Sequence, residues 1–98
     1  MGDVSEHLTI AGIVQGVGYR QWFRREAERR GVAGWVRNCT DETVEAVMSG
    51  PRAAVDDLVR EAMNGPLGAK VDRIDRREAA EAETKAVRAG EMVILPTV

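Results

Sequence analysis

The apolar period of this chain switches back and forth between that of a strand and that of a helix, and the order of the switches leaves few folds open. Residues 8–14, Leu-Thr-Ile-Ala-Gly-Ile-Val, read as a first strand, with Leu8, Ile10 and Val14 on one face. After a glycine-punctuated turn, residues 21–30 read as a helix. Tyr19, Phe23 and Ala27 stand four apart and share its inner side, and Gly31 supplies the stop. Residues 34–40 and 43–49 alternate again and form a hairpin around Asp41-Glu42. Gly50-Pro51 breaks the chain, and Val55, Leu58, Val59 and Ala62 follow at the i, i+3, i+4, i+7 spacing of a second helix over 52–64. Residues 69–77 read as a fourth strand on the strength of Val71 and Ile74. Residues 78–90 are charged and alanine-rich and fit a loop or a short helix. Met92–Leu95 is a closing strand that Pro96 ends at a sheet edge.

The order β-α-β-β-α-β with an extra C-terminal strand predicts an α+β, ferredoxin-like split sandwich: an antiparallel sheet with both helices on one face. With 98 residues there is room for one domain and one core, so 1–98 is expected to be a single domain. Such a fold serves many activities, so function must be argued from particular residues.

Composition removes several classes of function. A net charge of −2 does not suit neutralisation of a nucleic-acid backbone. The four aromatics, Tyr19, Trp22, Phe23 and Trp35, form no pair for stacking bases on a sheet face. One cysteine, Cys39, excludes an intramolecular disulfide, and with one histidine, His7, it cannot build the usual structural zinc site. No stretch reaches the roughly 18–20 apolar residues of a membrane span, and the acidic N-terminus lacks the basic start of a signal peptide. These features predict a reduced, cytoplasmic protein that binds neither nucleic acid nor membrane, and the plentiful carboxylates form no compact cluster that suggests a magnesium or two-metal site.

Two segments carry chemistry. The first is Gln15-Gly16-Val17-Gly18-Tyr19-Arg20, between the first strand and the first helix. Successive N–H groups in a tight glycine-containing loop make an anion nest, to which the following helix N-terminus adds partial positive charge. Arginine completes it with a planar, permanently charged fork matched to phosphate. Alone, such a loop is usually only a strand-to-helix turn with a surface arginine. The second segment, Gly34-Trp-Val-Arg-Asn-Cys-Thr-Asp41, puts Asn38 in a strand, where propensity disfavours it.

Taken together, Gly12-Ile-Val-Gln-Gly-Val-Gly-Tyr-Arg20 and the second segment, followed by Val44-Glu45, Gly50-Pro51 and Gly65-Pro66, resemble the signature segments of acylphosphatases in order and spacing. The resemblance implies a metal-independent hydrolase that splits acyl phosphates into carboxylate and inorganic phosphate. The backbone of Gln15, Gly16, Val17, Gly18, Tyr19 and Arg20 would bind phosphate, with the Arg20 guanidinium gripping it and Asn38 holding the attacking water. It further implies a small-molecule substrate, competitive inhibition by free phosphate and a monomer.

The remaining candidates have plainer readings. Trp22, Trp35 and Tyr19 are expected to pack, and His7 to be an ordinary strand residue. Cys39 has Glu45 where a cysteine phosphatase would carry arginine, so it is expected to be inert. There is no Gly-x-x-x-x-Gly-Lys-Ser/Thr loop for a nucleotide. The sequence departs from the family at Glu42, where glycine is usual. A two-residue Asp-Gly turn of type I′ needs positive φ at both positions, and glutamate there would cost roughly 1–2 kcal/mol. A different turn or a longer loop is the alternative.

Overall fold

In the computed structural model, which describes residues 2–98, the elements are β1 (Asp3–Ile13), α1 (Tyr19–Arg29), β2 (Ala33–Asn38), β3 (Val44–Pro51), α2 (Arg52–Ala62), β4 (Lys70–Glu78), α3 (Glu81–Thr84) and β5 (Met92–Ile94). They form one five-stranded sheet in the order β4-β1-β3-β2-β5. The split β-α-β arrangement expected from the periodicity is present.

Two expectations are corrected. The sheet is mixed rather than antiparallel, because β5 runs parallel to β2, with Trp35 opposite Val93 and Val36 opposite Ile94. The chain crosses the sheet between β4 and β5, so the final strand arrives in the same direction as β2. The first strand also starts five residues earlier than its apolar alternation suggests. Asp3 to His7 pair with the far half of β3, and Glu6 and His7 also pair with β4. Pairing with β3 along its whole length, with β4 from Glu6 onward, and the contact of Val4 with the core hold this largely polar stretch in the sheet.

The core lies between the sheet and the first two helices. Leu8, Ile10 and Val14 are buried together with Val36, Val44, Ala46 and Met48 of the neighbouring strands. α1 contributes Tyr19, Phe23 and Ala27, and α2 contributes Val55, Leu58, Val59 and Ala62, the two stripes read from the helical spacing. Tyr19 stacks on Phe23 at 6.3 Å between ring centroids, and its hydroxyl donates to the Ala62 carbonyl at 2.7 Å. That bond satisfies a buried phenol and ties the start of α1 to the end of α2.

The opposite sheet face carries the alternate residues His7, Trp35 and Val47, and these are buried as well. The segment containing α3 covers them. Trp35 Nε1 donates to the Glu83 carbonyl at 2.8 Å, and His7 Nε2 lies 3.9 Å from the Glu83 carboxylate. Glu83 also reaches back to accept from the Ala80 N–H at 2.7 Å, which closes the single helical turn. The ambiguous 78–90 stretch is thus a strap with one turn of helix. His7 is no plain strand residue: it bonds Glu45 at 2.6 Å beneath this strap.

Candidate active site

Between the end of β1 and the start of α1 the chain makes a tight loop. Gly16 and Gly18 both adopt left-handed φ, 76° and 79°. A Cβ at either would meet no protein atom, so conformation and not crowding by the protein is what calls for glycine here. Val17 between them keeps a negative φ, and an alternation of hand of this kind is how backbone anion nests are built. Val17 sends its side chain into the core and does not line the cleft that results.

Among the described residues, no backbone N–H from Gln15 to Arg20 donates to another backbone carbonyl. The first-turn donors of α1 are free by construction, and no side chain caps this end and no acidic residue sits in its first turn. The partial positive charge of the helix terminus is therefore left unbalanced by the protein.

Beside this loop lies a cleft of ≈ 160 Å³. Gln15, Gly16, Gly18, Tyr19 and Arg20 line it, and so does Asn38. Arg20 is half-buried and, among the described residues, has no carboxylate within 4.0 Å. By contrast Arg30, Arg37, Arg76 and Arg77 are each held by Asp or Glu. Asn38 is the last residue of β2 and points to the helix side of the sheet, two residues on from buried Val36. Its Oδ1 is buried and has no hydrogen-bond partner. An acceptor without a protein donor at the wall of a cleft is available to a molecule that enters it.

Glu42 explains how Asn38 is set at the strand end. Cys39 N donates to Thr43 O and Glu42 N to Cys39 O, closing a three-residue loop, with Asp41 Oδ1 accepting from Thr43 N and Oγ1. Only Glu42 has positive φ, 74°. The hairpin is the longer-loop alternative, a turn followed by one left-handed residue, and it keeps the strain at a single position.

The cleft also contains what the sequence did not disclose. Val14, Gln21 and Ile94 line it. Ile94 comes from a strand whose parallel pairing with β2 no local pattern encodes. Among the described residues, no Asp, Glu, His or Cys lines the cleft, so it holds no evident side-chain base. Cys39 alternates to the other sheet face, where its thiol lies 3.8 Å from Glu45; burial pushes that thiol up, as an inert cysteine requires. His7, Glu45 and Glu83 place ligand-type atoms within 4.8 Å of one another, also on that far face. Their carboxylates are already bound by Arg37 and Arg77, a poor donor set for a cation.

The acylphosphatase family model matches residues 6–88, most of the chain and both segments that build the cleft. The chain belongs to the acylphosphatase family. An acylphosphatase of Nitrobacter hamburgensis is 50% identical over the full length of both chains. One of Alcanivorax borkumensis is 54% identical over 70 residues, covering 71% of this chain and 76% of the other. The crystal structure of the acylphosphatase from Bacillus subtilis superposes with a TM-score of 0.84 at 32% identity, covering 94% of this chain and 98% of that one. Among acylphosphatases this chain therefore shares fold and sequence together, well beyond the fold alone.

Proposed function

We propose that this acylphosphatase works through the cleft at the β1–α1 loop: the amides of Gln15 to Arg20 and the Arg20 guanidinium bind the phosphoryl group, and Asn38 positions the attacking water. What supports the reading is that, among the described residues, a loop with unpaired N–H groups, an arginine without a carboxylate partner and a buried carboxamide oxygen without a donor line one small cleft. A phosphoryl group is a tetrahedral dianion with several oxygens, and fixed N–H donors at a helix start match it without reorganisation. Arg20 adds two parallel donors and a charge that no working pH removes. Asn38 Oδ1 accepts a hydrogen bond from the water, which turns a water lone pair toward phosphorus, in line with the P–O bond to be broken.

The balance of the reaction explains the acid–base character of the site. Water oxygen bonds phosphorus, the bond from phosphorus to the acyl oxygen breaks, and the bonding pair leaves on a carboxylate. That carboxylate has an intrinsic pKa of about 4 and departs without a proton. The proton of the attacking water ends on the phosphate product or in solvent. Since phosphoryl transfer passes through a loose transition state, positioning and charge stabilisation are the work required, and a cleft without a side-chain base meets that need. Metal assistance is not required on this account.

Inorganic phosphate, as product, occupies the same donors and inhibits competitively. The domain 1–98 carries the whole reaction as a monomer. One sheet edge, β4, is lined with charge, and the other, β5, is three residues long and followed by Pro96, so neither invites a second sheet. A single thiol that stays reduced suits the cytoplasm. A non-catalytic anion-binding module would not explain an unsatisfied Asn38 acceptor beside the anion site.

The test is direct. Incubated with benzoyl phosphate in excess EDTA, the protein is expected to discharge the substrate's ultraviolet absorbance with release of one phosphate per molecule. No hydrolysis above the spontaneous rate, or activity abolished by EDTA and restored by a divalent cation, would overturn it.

A further inference from the structure

The Gln15 side chain lies between the two halves of the proposed site, and its contacts are not those of a loop residue that merely lends its backbone. Its Nε2 donates to the Cys39 carbonyl and to the Thr43 carbonyl, each at 2.8 Å. A carboxamide nitrogen has two protons, and both are used. The two acceptors are the rungs that close the β2–β3 hairpin: Cys39 O also accepts from Glu42 N, and Thr43 O from Cys39 N. Each carbonyl thus spends its second lone pair on Gln15. The bonded pair begins at the residue immediately after Asn38.

We propose that Gln15 is a positioning residue that sets the distance between the phosphate-binding loop and the Asn38 carboxamide. The inference rests on the roles assigned to Arg20 and Asn38 above. The loop and the hairpin end come from separate parts of the sheet: β1 and β2 are not neighbours, since β3 lies between them. Backbone pairing therefore does not directly fix the end of β1 against the end of β2, and Gln15 bridges that gap. Water held by Asn38 attacks phosphorus held by the loop, so the reaction depends on the relative placement of the two. Phosphate affinity depends on the loop alone, whose shape Gly16 and Gly18 determine locally. Loss of the bridge should therefore lower kcat while leaving phosphate binding nearly intact.

The experiment is a double-mutant cycle between Gln15→Met, which keeps length and removes both donors, and Asn38→Ala. Gln15→Met is expected to lower kcat by about 10–100-fold, the scale of an ångström-level misplacement. In the Asn38→Ala background the same change is expected to cost about twofold or less, the margin within which an exhausted interaction is indistinguishable from none. The inhibition constant for inorganic phosphate should stay within about twofold of the parent in Gln15→Met. A purely structural role would weaken phosphate along with turnover and cost the same factor in both backgrounds, and that result would overturn the inference. Gln15→Asn, one methylene too short to reach both carbonyls, decides the matter should Gln15→Met fail to fold: kcat reduced with phosphate binding retained supports the bridge, and parental kcat refutes it. Parental turnover in Asn38→Ala alone would instead remove the water assignment, and this inference with it.

Discussion

Arg20 and Asn38 line the same cleft, although one belongs to the first turn of α1 and the other ends β2. Both are free of protein partners that would compete with a ligand: no carboxylate lies within 4.0 Å of the guanidinium among the described residues, and the Asn38 Oδ1 has no donor. An ion-paired arginine would have to break a bond to receive substrate. Arg20 would have none to break in the role proposed for it.

Substitution should separate the two roles. Arg20→Ala is expected to lose turnover by about 10²–10³-fold or more, the scale seen when a transition-state donor is removed. Phosphate should then no longer protect the protein against thermal unfolding. Asn38→Ala is expected to lose turnover comparably while phosphate still raises the melting temperature. At a concentration of 100 times its dissociation constant, phosphate should stabilise a binding-competent variant by about 2.7 kcal/mol. Thermal scans with and without phosphate, beside the benzoyl phosphate assay, check both.

The hairpin before β3 carries strain at one known place. Glu42 has φ 74°, the only non-glycine residue with positive φ among those described. Glu42→Gly removes a cost of roughly 1–2 kcal/mol and adds unfolded-state entropy worth about 0.5–1 kcal/mol. The net expectation is a gain of about 0.5–1 kcal/mol, visible as a rise of a few degrees in Tm. Unchanged or lowered stability would mean that the left-handed conformation costs the chain no more than the entropy that glycine adds.

Acid should loosen the strap over the outer sheet face. Bonds from Arg77 and from the Ala80 N–H hold the Glu83 carboxyl down at about 2. Burial raises the Glu45 carboxyl, but bonds from His7 and Arg37 outweigh it and leave the group below its ordinary value. A carboxylate depressed in the folded state contributes its full stability above its unfolded pKa and loses it as pH falls toward the folded one. For Glu83 that window runs from 4.5 down to about 2. Urea midpoints measured across it should fall, and Glu83→Gln should flatten the fall. A Glu83→Gln profile as steep as the parent's would contradict the assignment.

Trp35→Phe offers a check that the two sheet faces act separately. The smaller ring leaves a cavity and the hydrogen bond from Nε1 to the Glu83 carbonyl is lost. Stability should drop by about 2–3 kcal/mol, with faster amide exchange in 81–84. Turnover should stay within about twofold of the parent, because the cleft lies on the other face. A large fall in kcat would show that the strap reaches the active site through β2.

What the sequence determined by itself was whatever neighbouring residues decide. The apolar stripe of Tyr19, Phe23 and Ala27, the second stripe in α2, and the glycine-punctuated turn before α1 all depend on contacts or torsions within a few residues, so spacing revealed them. Arg20 and Asn38 were legible because their segments carry a family pattern, not because either residue is unusual alone. The tertiary structure decided what depends on strands far apart in the chain. The parallel seating of β5 beside β2 brought Ile94 to the cleft, and pairing with the far half of β3 drew polar Asp3 to His7 into β1. The strap made His7 a buried partner of Glu45, and the bridge from Gln15 to the hairpin carbonyls joined the halves of the site. None of these has a local periodicity, since each depends on which surface the folded chain brings opposite.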